Sequence, residues 1–167
     1  MKSKNVIIFV LVVLGLLGLM WWSKPTQTQT PGSNPGVISN SVLTAEEKFY
    51  DFGAISMAQG NVAKTFKITN PTNEDIILKT VTTSCMCTTT YIGNARGEKG
   101  PFGMPGHGGP AARANEVIRA GESRNIRVVY DPAAHGLAGV GPVERFIYLE
   151  EATGGVLELK IKAMVTP

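Results

Sequence analysis

The only two cysteines of this 167-residue chain lie one residue apart, in Thr83-Ser84-Cys85-Met86-Cys87-Thr88-Thr89-Thr90. Thiols this close can bond to each other, chelate a soft metal, or pack as small apolar groups in a core. Alternation along a strand would turn both sulfurs to one face and Met86 to the other, which suits chelation. The C-x-C spacing nevertheless lacks the gap of roughly two to four residues usual in zinc sites. A disulfide along extended strand would have to span about 6.6–6.8 Å between Cα atoms, the upper limit of ordinary geometry. Such a bond needs a bulge or strain, and strain would make it easily reduced and redox-active. It would close almost no loop, so it would add little stability. Two free, packed thiols are the expected state.

The other soft or imidazole donors are few. His107 and His135 are the only histidines, and Met104 shares the element Met104-Pro105-Gly106-His107. If that segment folds over the strand end, Cys85, Cys87, Met104, His107 and His135 form one candidate metal set. Sulfur with imidazole selects copper(I) or zinc over magnesium or calcium, with copper first here. The opposing expectation is that a histidine in a glycine-rich loop is a surface polar residue and that the cysteines belong to the core. No other cofactor is implied.

Nothing points to catalysis. No Ser-His-Asp arrangement is visible, and the acid nearest His135 in sequence is Asp131, in its own turn. Gly136-Leu137-Ala138-Gly139-Val140-Gly141 has the glycine content of a nucleotide loop, but a strand-like segment follows it and no helix. The chain is therefore read as a non-enzyme.

The elements that must position these residues begin at Ala45. Phe66 and Ile68 alternate with Thr65, Lys67 and Thr69; Ile126, Val128 and Tyr130 with Arg127 and Val129; and Leu157, Leu159, Ile161, Ala163 and Val165 with Glu158, Lys160, Lys162 and Met164. Period two marks half-buried strands. Further strands are expected at Phe49–Phe52, Ile76–Thr83, Cys87–Ile92, Glu116–Ile118 and Glu144–Glu150. Turn residues punctuate them at Asn70-Pro71, Ala120-Gly121-Glu122, Asp131-Pro132 and Gly154-Gly155. The pattern predicts an all-β, antiparallel sandwich of seven to eight strands over residues 45–167. Within it, residues 93–115 form a glycine-rich insertion with glycine at 97, 100, 103, 106 and 109. Five Gly-X-Y triplets between strands of one domain are too few for a triple helix, so a loop over one end of the sandwich is expected.

The N-terminal part differs in kind. Residues 1–5 carry Lys2 and Lys4, and residues 6–22 carry no charge and end in Trp21-Trp22. As a helix the apolar run spans about 25 Å, close to a bilayer core. Flanking lysines and terminal tryptophans read as an uncleaved, inside-positive transmembrane anchor, since bulky rings stand where a signal peptidase needs small residues. This places the C-terminal domain outside the cytoplasm, in the periplasm or at the cell surface. Residues 23–44, rich in Ser, Thr, Gln, Asn, Pro and Gly, read as a flexible tether. The net charge of +3 resides in residues 1–44, because basic and acidic residues balance from Ala45 on. Without a basic face, no nucleic acid partner is expected.

Several motifs together resemble a bacterial family, number 1573 among the domains of unknown function, whose members are small, usually exported Ig-like domains. The residues that carry the resemblance are Phe49-Tyr50-Asp51-Phe52-Gly53-Ala54-Ile55, Phe66-Lys67-Ile68-Thr69-Asn70, and Ser84-Cys85-Met86-Cys87-Thr88. Ala120-Gly121-Glu122 and Ile126-Arg127-Val128-Val129-Tyr130-Asp131-Pro132 continue it, over Glu47 to about Val165. The chain departs from the family pattern at Met86, usually glycine, at Glu150-Glu151-Ala152-Thr153, and in the insertion. The resemblance implies an Ig-like sandwich acting as a passive binding or spacer module, with no established activity. The leading expectation is a membrane-anchored, extracytoplasmic domain for protein interaction or envelope scaffolding, touching a protein partner through a sheet edge or the glycine-rich loop. The competing expectation is a soft-metal or thiol redox protein built on the C-x-C pair.

Overall fold

The computed structural model describes residues 40–106 and 113–167. The segment 6–22 expected to cross a membrane, most of the expected tether and His107 lie outside the described residues. Among those described, no helix is long and apolar enough to cross a membrane.

Ten strands follow one another: β1 (Thr44–Ala45), β2 (Phe49–Ser56), β3 (Val62–Thr69), β4 (Ile76–Thr83), β5 (Thr88–Asn94), β6 (Gly97–Phe102), β7 (Arg113–Ile118), β8 (Ser123–Tyr130), β9 (Gly141–Glu151) and β10 (Val156–Thr166). One sheet has the order β1-β3-β8-β5-β6, the other β2-β10-β9-β4-β7. The inward positions read from period two fill the space between them: Phe66, Ile68, Ile126, Val128, Leu157, Leu159, Ile161, Ala163 and Val165 are all buried. These alternating apolar faces, contributed by both sheets, make one core.

Three expectations about this frame are corrected. Among the described residues the strand count is ten, not seven to eight, because two-residue β1 and hairpin strand β6 add to the sheet carrying β3 and β8. The sandwich is not wholly antiparallel, since β2 runs parallel to β10. The segment 93–115 is not simply a loop. Its first half turns back as β6 along β5, with Asn94 opposite Gly97 and Ile92 opposite Lys99, and Phe102 enters the core. Its last residues begin β7, which pairs with β4. The glycine period concealed a short strand because Glu98, Lys99 and Phe102 supply the side chains that Arg127, Glu116 and the core receive.

The Asp-Phe-Gly motif has a local physical cause. Gly53 takes φ +69°, where an L side chain is strained, and its N–H is accepted by Asp51 Oδ1 at 2.8 Å. This bulge shifts the β2–β10 register between Lys162 and Met164. The parallel edge strand can then bend and still deliver Ile55 to the core.

Two buried polar side chains fasten the end of the sandwich away from the cysteines. The amide of Asn70, fully buried, donates to the carbonyls of Glu74, Ile118 and Arg119 at 2.7–3.1 Å, and its oxygen accepts from the N–H and hydroxyl of Thr72. It ties the end of β3 to the β7–β8 turn. Glu151 Oε1 accepts from Ser41 Oγ at 2.5 Å and from the N–H groups of Val42 and Leu43 at 3.0 and 3.1 Å. The ordered domain thus reaches back into the segment expected as tether, and Leu43, 2% exposed, joins the core. A Cβ at Gly155 would lie 2.7 Å from Glu151 Oε2 and 2.9 Å from the Asn40 carbonyl, so only glycine leaves room for this clasp.

Candidate functional site

The cysteine pair does not lie on a strand. β4 ends at Thr83 in one sheet and β5 begins at Thr88 in the other, so Ser84–Cys87 is the turn that carries the chain across the sandwich. The Thr88 N–H donates to the Cys85 carbonyl at 3.1 Å, closing the turn. The Thr83 hydroxyl approaches the carbonyls of Cys85 at 2.9 Å and Thr88 at 3.1 Å. From outside, the Asp131 N–H donates to the Cys87 carbonyl at 2.9 Å and the Ser84 N–H to the Phe146 carbonyl at 2.9 Å. The flanking threonine and serine of the motif are therefore the fastenings of the turn.

Turning shortens the Cα separation of Cys85 and Cys87 to 5.3 Å, within ordinary disulfide range, and the two are joined by a disulfide. This corrects the expectation of two free thiols, which assumed an extended path. No free cysteine remains.

The surroundings of the two sulfurs differ. Cys87 is 3% exposed and belongs to the core, while Cys85 is half-buried and Met86 between them stands out in solvent. His135, on the loop after β8, places Nε2 3.2 Å from Cys85 Sγ. Arg145, on β9, donates Nε–H to Cys87 Sγ at 3.1 Å, and its Nη1 donates to the Glu144 carbonyl at 2.8 Å. Among the described residues Arg145 pairs with no carboxylate. Its guanidinium also lies 6.0 Å from the ring of Tyr130. Burial pushes the Tyr130 phenol up, partly opposed by that guanidinium.

Of the expected metal set, the fold brings together Cys85, Cys87 and His135, whose donor atoms all lie within 4.8 Å of one another. Met104 sits half-buried just past Gly103, whose carbonyl accepts the Thr83 N–H at 3.3 Å, and no hydrogen bond or cluster joins it to the sulfurs. Its proposed companion His107 lies outside the described residues. Two soft sulfurs and an imidazole are a fitting donor set for copper(I), but each sulfur is engaged in the disulfide, so the set is available only to the reduced protein. Arg145 escaped the sequence reading. The signal was present: it occupies the inward register of β9 with Val143, Ile147 and Leu149, where a charge needs a reason.

Two facing sheets around one buried core define a β-sandwich of Ig-like build. Residues 43–102 match the model of the family described as "Protein of unknown function (DUF1573)", so the resemblance carried by the Asp-Phe-Gly and Ser-Cys-x-Cys-Thr motifs is borne out. The match contains the cysteine turn, whereas His135, Arg145 and the motifs at 120–132 lie beyond it. No curated protein matches the chain. A protein of unknown function from Porphyromonas gingivalis W83 shares the fold with TM-score 0.52 and 18% identity, over 74% of this chain and 46% of that one. The secreted serine protease VesC from Vibrio cholerae gives TM-score 0.46 at 16% identity, over 75% and 24%. The ASH / PapD-like domain of human CEP192 gives 0.47 at 11%, over 82% and 92%. The chain thus spans less than half the length of the first two.

Proposed function

We propose that this chain is a non-catalytic β-sandwich held outside the cytoplasm by the apolar segment 6–22 and acting through protein contact. The observation that carries the reading is the outer face of the sheet containing β2, β10 and β9. Phe49, 46% exposed, and Phe146 flank Lys160, whose ammonium lies 5.6 Å from both ring centroids. Tyr148 stacks on Phe146 at 6.4 Å. These rings point away from the core and contribute nothing to it. Aromatic side chains gathered on a polar-rimmed surface are the type that dominates contact energy between proteins. At the other side of the same sheet, exposed Ile77 lies opposite exposed Val117 on edge strand β7.

A photo-crosslinking residue placed at Phe49 or Ile77 in intact cells should give a discrete protein adduct, and one at Asn125 on the other sheet should not. No adduct at either position, with the domain digestible by external protease in spheroplasts, would refute the contact while leaving the location standing. Digestion only after lysis would overturn the location.

A second reading, thiol redox or soft-metal chemistry, is favoured by the convergence of Cys85, Cys87 and His135. Redox comes ahead of metal, because the sulfurs are bonded to each other and an ion has to wait for reduction. Thiol counts on the full-length protein before and after mild reduction, followed by copper(I) titration, test it.

A further inference from the structure

The disulfide does not serve as a staple. It closes so short a loop that the unfolded chain loses little freedom by it, and the turn is already held by backbone and threonine hydrogen bonds. Yet one sulfur meets a guanidinium that has no carboxylate partner among the described residues, in the inward register of a strand. A charge in that place gains little from a neutral disulfide and much from a thiolate.

We propose that Cys85–Cys87 is a thiol–disulfide exchange site with a fixed direction of attack, Cys85 being the entry sulfur and Arg145 the positioning residue for the departing Cys87 thiolate. The inference rests on the redox reading and adds to it the order of bond changes. Cys85 is the half-buried sulfur and Cys87 the buried one, so an external thiolate reaches Cys85. The partner is a vicinal dithiol. Its first thiolate attacks Cys85 Sγ, a bond forms between the two, and the Cys85–Cys87 bond breaks. The electron pair of that bond goes to Cys87 Sγ, where Arg145 Nε–H already points at 3.1 Å. The dithiol's second thiol, losing its proton to solvent, attacks the partner sulfur of the mixed disulfide. Cys85 leaves as the second thiolate, beside His135 Nε2. The two thiolates take up two protons, so one disulfide is reduced and one dithiol oxidised. In the reverse sequence the Cys85 and Cys87 thiols reduce a partner disulfide to its dithiol and re-form the bond between themselves. A lower-energy leaving thiolate accelerates the first step.

The test uses the full-length protein in detergent with dithiothreitol and, separately, glutathione as a monothiol trap. Early acid quenching and peptide mass mapping should find glutathione on Cys85. Arg145→Met should slow reduction by dithiothreitol by about five- to tenfold, a modest charge effect on the leaving group. Arg145→Lys, which keeps the charge, should stay within about twofold of the parent. Thermal unfolding of each oxidised variant checks that the turn is intact, and the lysine variant decides the matter if the methionine variant unfolds. Glutathione on Cys87, or equal rates in parent and a folded Arg145→Met, overturns the assigned direction and leaves the redox reading in place. A disulfide that dithiothreitol reduces only after unfolding overturns both.

Discussion

The two ends of the sandwich handle polar groups in opposite ways. At the end of β3 marked by Asn70, and at the β9–β10 turn marked by Glu151, each buried polar side chain is saturated by backbone N–H or carbonyl groups. At the far end of those strands, about 23 Å away along eight-residue β3, the Thr83 hydroxyl still meets carbonyls, but the side chains of Arg145 and His135 lie against sulfur. Asn70 and Glu151 replace every bond they would make with water, so they lock chain segments together. Arg145 donates its Nε–H to a weak acceptor that becomes a strong one when the disulfide opens, and His135 Nε2 lies beside the other sulfur. The difference separates a structural polar cluster from a chemical one within a single fold.

The contrast can be broken, or sharpened, by a graded set of substitutions. Asn70→Ala should have the largest effect, about 3 kcal/mol of stability by denaturant unfolding, because three carbonyls and two donors of Thr72 lose their partner in a buried place. Glu151→Ala should cost about 2 kcal/mol and free residues 40–43 for proteolysis, since Leu43 is held in the core by the same carboxylate. Reduction of the disulfide should cost less, about 1.5 kcal/mol, in keeping with the short loop it closes. If reduction instead unfolded the domain, the cysteine end would be structural and the contrast lost.

The smallest effect concerns acid. Arg124 holds Glu122 below the ordinary glutamate value of 4.5, helped by the Arg119 N–H, and Arg127 does the same for Glu98. A depressed carboxyl pKa contributes stability that is complete above the unfolded value and is lost as pH falls through the folded one. A slight drop in denaturant midpoint should therefore develop below about pH 4.5, and Glu122→Gln should remove part of it. Both carboxylates are open to solvent, so salt should screen the effect.

The apolar faces of β3, β8 and β10 were legible in the sequence because period two is a local signal, set by where successive side chains point. The Asn70 turn was legible as punctuation for a similar reason, since asparagine followed by proline announces unusual backbone in place, whereas the bulge at Gly53 was not, its residues being read only as strand and family motif. β6 was not legible. Its glycines suggested a loop, and only a neighbouring strand with Arg127 waiting for Glu98 makes an edge strand of it. Arg145 was not legible as a site residue, because its strand, expected at Glu144–Glu150, carries no record that Cys87 would face it.

By itself, the sequence determined that the domain is all-β, which alternating residues of β3, β8 and β10 face its core, that its two cysteines are neighbours, and that His135 follows the Asp131-Pro132 turn. These are consequences of local backbone preference and burial. Tertiary structure alone decided that the cysteines sit at a crossing between sheets, near enough to bond, with His135 beside one and Arg145 beside the other. The contacts join residues 50 and 58 positions apart. Such distances are closed only when two sheets pack face to face, and no local pattern records which loops then meet.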